Sequence, residues 1–199
     1  MQATPDTRCT AFAGERRIAS GALRHVALVA QREQGAGERV LIFDDRSSEL
    51  IEVDLRGDSA DLLRRMAEHA PRRRGDGEAD APARRSGPGR PRLGVVAREV
   101  TLLPRHWQWL AAQPGGASVT LRRLVEEARR SRAGQDRRRA SQEAAYRFMA
   151  TMAGDAPGFE EATRALFAGD VVAFEDHTGA WPEDVRDHAA LLAAEALRG

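Results

Sequence analysis

The hydrophobic pattern changes period several times along the N-terminal third of the chain. Thr10-Ala11-Phe12-Ala13 and Arg17-Ile18-Ala19-Ser20 are short runs on either side of Gly14 and predict two strands. Leu23, Val26, Ala27 and Ala30 then recur at helical spacing, and Gly35 with Gly37 ends that helix. Val40-Leu41-Ile42-Phe43 predicts a central strand, followed by turn chemistry in Asp44-Asp45-Arg46-Ser47-Ser48. Ile51, Val53 and Leu55 alternate with Glu52 and Asp54, the pattern of a half-buried strand. Asp58 or Ser59 caps a helix presenting Leu62, Leu63, Met66 and Ala70. Residues 8–70 thus predict a β-β-α-β-β-α unit, a small sheet with helices on one face.

From Pro71 to Pro91 no amphipathic period survives. Prolines and glycines are interspersed among arginines, and residues 71–92 read as a flexible Arg/Pro/Gly linker. Order returns at Leu93. Val95 to Leu103 reads as a strand, and Pro104 suits the first position of a helix carrying Trp107, Leu110 and Ala111. Gln113-Pro114-Gly115-Gly116 breaks that helix, and Ser118 caps a second with Leu121, Leu124, Val125 and Ala128 on one face. Residues 93–132 therefore predict a strand-helix-helix element. Residues 135–198 predict a helical C-terminal bundle, with Ala144, Ala145, Phe148 and Met152 buried in one helix. Pro182, Glu183 and Asp184 open its last helix. The fold class expected is α+β.

Composition narrows the setting. Hydrophobic residues make up 42% of the 199, a globular proportion. No apolar run reaches the roughly 18 residues a membrane span requires, and Met1 to Cys9 has no apolar stretch, so no membrane partner and no secretory signal are expected. Cys9 is the only cysteine, which excludes an internal disulfide. A cytoplasmic protein without a cofactor is the expectation.

Charge changes the picture more. All 31 basic residues are arginine, and the formal net charge of +1 conceals segregation. Residues 64–139 hold 19 arginines against 8 acids, whereas residues 140–199 hold 4 against 11. An arginine-rich middle of this kind suits phosphate or acidic protein.

Two motifs lie in that middle. Gly89-Arg90-Pro91-Arg92, preceded by Arg84-Arg85, resembles the core of an AT-hook, an extended segment that lays arginine into the narrow minor groove of A·T-rich DNA. Pro88 stands where that core has arginine; the alternative is a tether solubilised by its charge. The stretch from Arg98 to Arg132 resembles a ribbon-helix-helix unit, in which two chains pair strands into a ribbon that reads the major groove. That resemblance implies a homodimer through the strand near Val100. It also implies a phosphate held by the amides near Ala117 and Ser118. Arg98, Arg105, Ser118, Arg122 and Arg123 join Arg84, Arg85, Arg90 and Arg92 as candidate nucleic-acid-binding residues. The strand register departs from the pattern: counting back from Leu103 leaves Leu102 and Val100 facing outward. The alternative is an ordinary β-α-α element.

Other chemistry is thinner. Asp44, Asp45, Glu52 and Asp54 could bind a metal or exchange protons, but turn and solvent-face duty explains them more simply. His188 lies on the apolar side of its helix, four residues after Asp184, as a satisfied packing residue would. Cys9 lies near a frayed terminus with no base nearby. Trp107 and Trp109, spaced two apart on a helix, cannot share one narrow face, so one of them is expected at the surface.

Several stretches together carry a family resemblance: Thr10-Ala11-Phe12-Ala13-Gly14, Arg98-Glu99-Val100-Thr101-Leu102-Leu103-Pro104-Arg105-His106-Trp107, Gln113-Pro114-Gly115-Gly116-Ala117-Ser118 and Ala144-Ala145-Tyr146-Arg147-Phe148-Met149. They resemble an uncharacterised bacterial family, domain of unknown function 2239, over nearly the full chain. The resemblance implies bacterial origin and a shared fold, and no reaction. The function expected from the residues is DNA binding, in a transcription-related role, and not catalysis. The alternative is a protein-interaction scaffold whose basic middle packs on its own acidic ends. A small enzyme using the carboxylates around Asp44 is the third class.

Overall fold

The computed structural model describes residues 3–35, 37–68, 96 and 98–198. The protein is α+β: the described residues form a three-stranded antiparallel sheet near the N-terminus and seven helices. It divides into two compact units, residues 1–71 with 133–199 and residues 72–132.

In the first unit, β1 (Arg8–Ala13) and β2 (Arg16–Ala22) form a hairpin, and β3 (Val40–Asp44) pairs antiparallel with the other edge of β1. The strand order β2-β1-β3 makes β1 central, so the run Val40–Phe43, expected at the centre, is instead beside it. Both faces of β1 are covered, which is why all of its residues after Arg8 are buried. On one face Cys9, Ala11 and Ile42 pack against Leu23, Val26 and Ala30 of α1 (Leu23–Gly35). On the other, Phe12 and Phe43 pack against Phe148, Met149, Leu166, Phe174 and Val185 from the last third of the chain. Helices therefore cover two faces rather than the expected one. The N-terminal sheet and the C-terminal helices share a single core.

The alternating segment Ile51, Val53, Leu55 forms no strand. It is tied to β3 only at its start, by a bridge between Phe43 and Leu50 and by the Ile51 amide donating to the Ile42 carbonyl at 2.8 Å. Beyond that point side chains satisfy its carbonyls: Gln31 donates to Leu55 at 2.9 Å and Arg65 to Asp54 at 2.9 Å. The alternation reports half-burial against α1 and α2 (Ser59–Glu68), without a ladder. Asp58 caps α2, its carboxylate accepting the Asp61 amide at 2.7 Å.

The remaining helices are α3 (Pro104–Ala111), α4 (Gly116–Met152), α5 (Phe159–Ala168), α6 (Val171–Thr178) and α7 (Glu183–Leu197). The helix expected from Ser118 and the one expected to bury Ala144 and Phe148 are one helix of 37 residues, α4. Gly134 within it costs only about 1 kcal/mol relative to alanine, and the surrounding Arg, Gln, Glu and Ala residues are strong helix formers. No stop signal intervenes. Asp170 caps α6 by accepting the Ala173 amide at 3.0 Å, and the buried Trp181 indole donates to the Pro157 carbonyl at 2.9 Å.

Gly158, at φ 79°, precedes α5 in the left-handed region, and a Cβ there would lie 2.6 Å from the His177 carbonyl oxygen. Gly158→Ala is expected to destabilise the protein by roughly 2 kcal/mol or more, through backbone strain and a contact with fixed main chain. Urea unfolding measures it; a loss under about 0.5 kcal/mol, the range of a neutral surface change, would contradict the account.

In the second unit, Pro104 opens α3 at its first position, as its missing N–H allows. Arg98 to Leu103 forms no strand. A strand is stabilised only by a partner ladder, and no strand among the described residues pairs with this stretch. Gly115 at φ 83° and Gly116 at φ 71° make the turn into α4. Among the described residues of this unit only Leu110 and Thr120 are buried, while Val100, Leu103, Trp107, Trp109, Leu124 and Val125 are exposed. Both tryptophans lie at the surface, where one was expected.

Candidate nucleic-acid interface

Arg84, Arg85, Arg90 and Arg92, the hook-like candidates, lie outside the described residues. The other candidates are on or beside two helices. Arg105 is in the first turn of α3, and Arg98 is in the irregular stretch before it; both are exposed. Ser118, expected as a cap, is the third residue of α4, because the helix begins at Gly116. Its carbonyl accepts the Arg122 Nε at 3.1 Å. The amides near Ala117 and Ser118 belong to the first helical turn, where backbone N–H groups have no partner within the helix. No acidic side chain stands in that turn to neutralise its positive end.

Arg122 and Arg129 are seven residues apart, as are Arg123 and Arg130, so each pair shares one side of α4 about 10 Å apart along the axis. Two ranks of guanidinium groups result, with Glu126 and Glu127 between them in sequence. Glu126 accepts from Arg129 at 2.8 Å. Ten described arginines lie between Arg98 and Arg139, and all ten are exposed. Among them only Arg129 and Arg137 have a carboxylate oxygen within 4.0 Å; for Arg137 it belongs to Glu195, at 3.9 Å. Arg138 reaches the Ala168 carbonyl at 3.5 Å, near the end of α5. Among the described residues, eight of these ten guanidinium groups have no carboxylate partner.

Asp44, Asp45 and Asp54, three of the four acidic candidates, are engaged locally. Asp44 accepts the amides of Arg46 and Ser47, both at 2.9 Å, in a tight turn. Asp54 pairs with Arg56 at 2.9 Å, and that contact with the Arg56 amide pulls its carboxyl down to about 2. Asp44, Arg46, Glu49, Glu143 and Arg147 line an open groove of about 530 Å3 of mixed charge. Across it the Arg147 guanidinium donates to the Ser47 carbonyl.

Asp45, read from the sequence as a turn residue or a carboxylate for metal or proton exchange, anchors a polar cluster. The Thr10 hydroxyl donates to its carboxylate at 2.7 Å and lies 2.7 Å from the Ser20 hydroxyl. No sequence signal joins residues this far apart. Cys9 is not near a frayed end but fully buried in the central strand. Burial, and then the Asp45 and Asp44 charges, push its thiol up to about 12. His188 is buried as expected but not satisfied, since neither ring nitrogen has a hydrogen-bond partner. Asp184, four residues earlier, accepts the Arg17 amide at 2.8 Å.

Among the described residues no helix is long and apolar enough to cross a membrane. Comparison with curated proteins and with solved structures finds no match. A family model described as "uncharacterized protein conserved in bacteria (DUF2239)" matches residues 8–193, and with nearly its whole length covered the chain belongs to that bacterial family.

Proposed function

We propose that this is a cytoplasmic, non-enzymatic, transcription-related protein that binds duplex DNA through its arginine-rich middle. The observation that carries the reading is the set of exposed guanidinium groups along α3 and α4 without carboxylate partners. Arg105, Arg122, Arg123, Arg130 and Arg132 would neutralise phosphates, and the first turn of α4 near Ser118 would hold one more through its amides. Arg84, Arg85, Arg90 and Arg92 would follow the minor groove as a hook-like arm. A second copy would supply the partner edge for the segment around Val100, whose apolar residues Val100 and Leu103 are exposed. The ribbon-helix-helix likeness enters here as part of this proposal.

Affinity from phosphate neutralisation falls steeply with salt. Mobility-shift titration of a mixed-sequence duplex at about 50 mM and 200 mM salt is expected to show binding that weakens on the order of 1,000-fold, as six or more phosphate contacts would give. Absence of a shift at the lower salt would eliminate the proposal. A second reading, a scaffold whose basic middle packs on its acidic ends, draws its support from the Arg137–Glu195 contact. It calls for no shift at either salt.

A further inference from the structure

His188 occupies an unusual place for an imidazole. Its ring lies 4.6 Å from the Phe148 ring and 5.4 Å from the Phe12 ring, tilted steeply to both, and is 2% exposed. Neither Nδ1 nor Nε2 has a hydrogen-bond partner. Burying such groups unpaired is costly, and phenylalanine would fill an aromatic slot without that cost. The residue therefore weakens the contact where α7 meets the central strand.

We propose that His188 is a proton-operated latch: uncharged, it holds α7 against the sheet, and charged, it lets α7 go. An imidazolium cannot remain between two phenyl rings with no acceptor for either N–H. The charged groups that bear on it are few. Burial is the largest influence and holds the ring below the usual histidine range; from the turn after β3 the Asp45 carboxylate favours its protonation, and from β2 Arg17 acts with burial against it. From β1 and α4 it meets the Phe12 and Phe148 rings. On α7 itself Asp184, one turn earlier, is committed to the Arg17 amide. Asp45 is held by the Thr10 hydroxyl at 2.7 Å, with Arg8 at 3.8 Å.

The sign follows from linkage. The unfolded or released state takes up a proton at the ordinary pKa of about 6.5, whereas the packed state resists until a lower pH. Stability is complete above about 6.5. It falls as pH drops, by at most tenfold in the folded-to-unfolded ratio for each pH unit, until the packed ring itself titrates. His25, His106 and His177 are exposed and are not clamped in this way.

Urea unfolding of the full chain from pH 8 to pH 5, compared with His188→Phe and His188→Gln, tests the latch. Below about pH 6.5 the wild-type midpoint is expected to drop, both variants to show a flatter dependence, and the Phe variant to be at least as stable as wild type at pH 7.5. Hydrogen exchange at pH 5.5 should show residues 183–197 of α7 losing protection before α1 does. Equal pH dependence in wild type and the Gln variant would overturn the proposal, even if the Phe variant failed to fold. Loss of protection spread evenly over the first unit would overturn it as well.

Discussion

Phe148→Ala is expected to cost about 3–5 kcal/mol, a large share of the 5–15 kcal/mol that stabilises a typical domain. Phe148 is fully buried, with ring centroids 5.3 Å from Phe12, 5.1 Å from Phe43 and 4.6 Å from His188. It stands on α4 where the helix meets both buried phenylalanines of the sheet and His188 of α7, so truncation leaves a cavity between a hydrogen-bonded sheet and packed helices that cannot readily collapse. The edge-to-face contacts with Phe43 and His188 are lost as well, worth roughly 0.5–1.5 kcal/mol each beyond burial. Urea unfolding followed by circular dichroism reads the loss. A cost under about 1 kcal/mol, the middle of the range for arbitrary point changes, would mean that the sheet and the C-terminal helices do not depend on each other through this residue.

Reversing Arg122, Arg123, Arg129 and Arg130 to glutamate is expected to weaken duplex binding on the order of 100-fold or more at about 50 mM salt, because three contacts of the phosphate-neutralising kind become repulsions and a fourth positive charge beside them is reversed. Stability should change little. All four side chains are exposed, their backbone positions lie in a helix, and glutamate is as good a helix former as arginine. The only ion pair removed is Arg129–Glu126, an exposed contact three residues apart, worth a few tenths of a kcal/mol at most. Unchanged affinity with an intact circular dichroism spectrum would place any DNA contact away from α4. Fluorescence anisotropy of a labelled duplex gives the number directly.

Much of the fold was written in local patterns, and what was missed depended on distant partners. The helical spacing of Leu23, Val26 and Ala30, the capping by Asp58, and Pro104 at the start of α3 each act within one or two turns, and each element formed where it was expected. Ile51, Val53 and Leu55 misled because alternation records which side is buried and says nothing about where the backbone bonds go. Those carbonyls were claimed by Gln31 and Arg65 from helices. The centre of the sheet was misplaced for a related reason. Val40–Phe43 is the more apolar run, but β1 is covered by α1 on one side, where the small Ala11 packs, and by the C-terminal helices on the other, where Phe12 packs.

The candidate interface divides in the same way. Segregation of arginine was visible as composition, and the exposure of Arg98, Arg105, Arg122 and Arg123 agrees with it. Which guanidinium groups would find carboxylates could not be seen, since the Arg137–Glu195 contact joins positions brought together only by folding. Nor could the orphaned imidazole of His188, whose burial was foreseen from the helical face but whose lack of a partner depends on Phe12 and Phe148 arriving from other elements.

The central claim is that exposed guanidinium groups on α4, free of the protein's own acids, meet the phosphates of a duplex. Plotting the logarithm of the binding constant against the logarithm of salt concentration, for wild type and for Arg122→Gln, Arg123→Gln and Arg130→Gln singly, addresses it most directly. Each substitution should make the slope shallower by about 1, with affinity falling by a similar factor on unrelated sequences. Slopes identical to wild type for all three, or no binding by wild type at about 50 mM salt, would contradict the account.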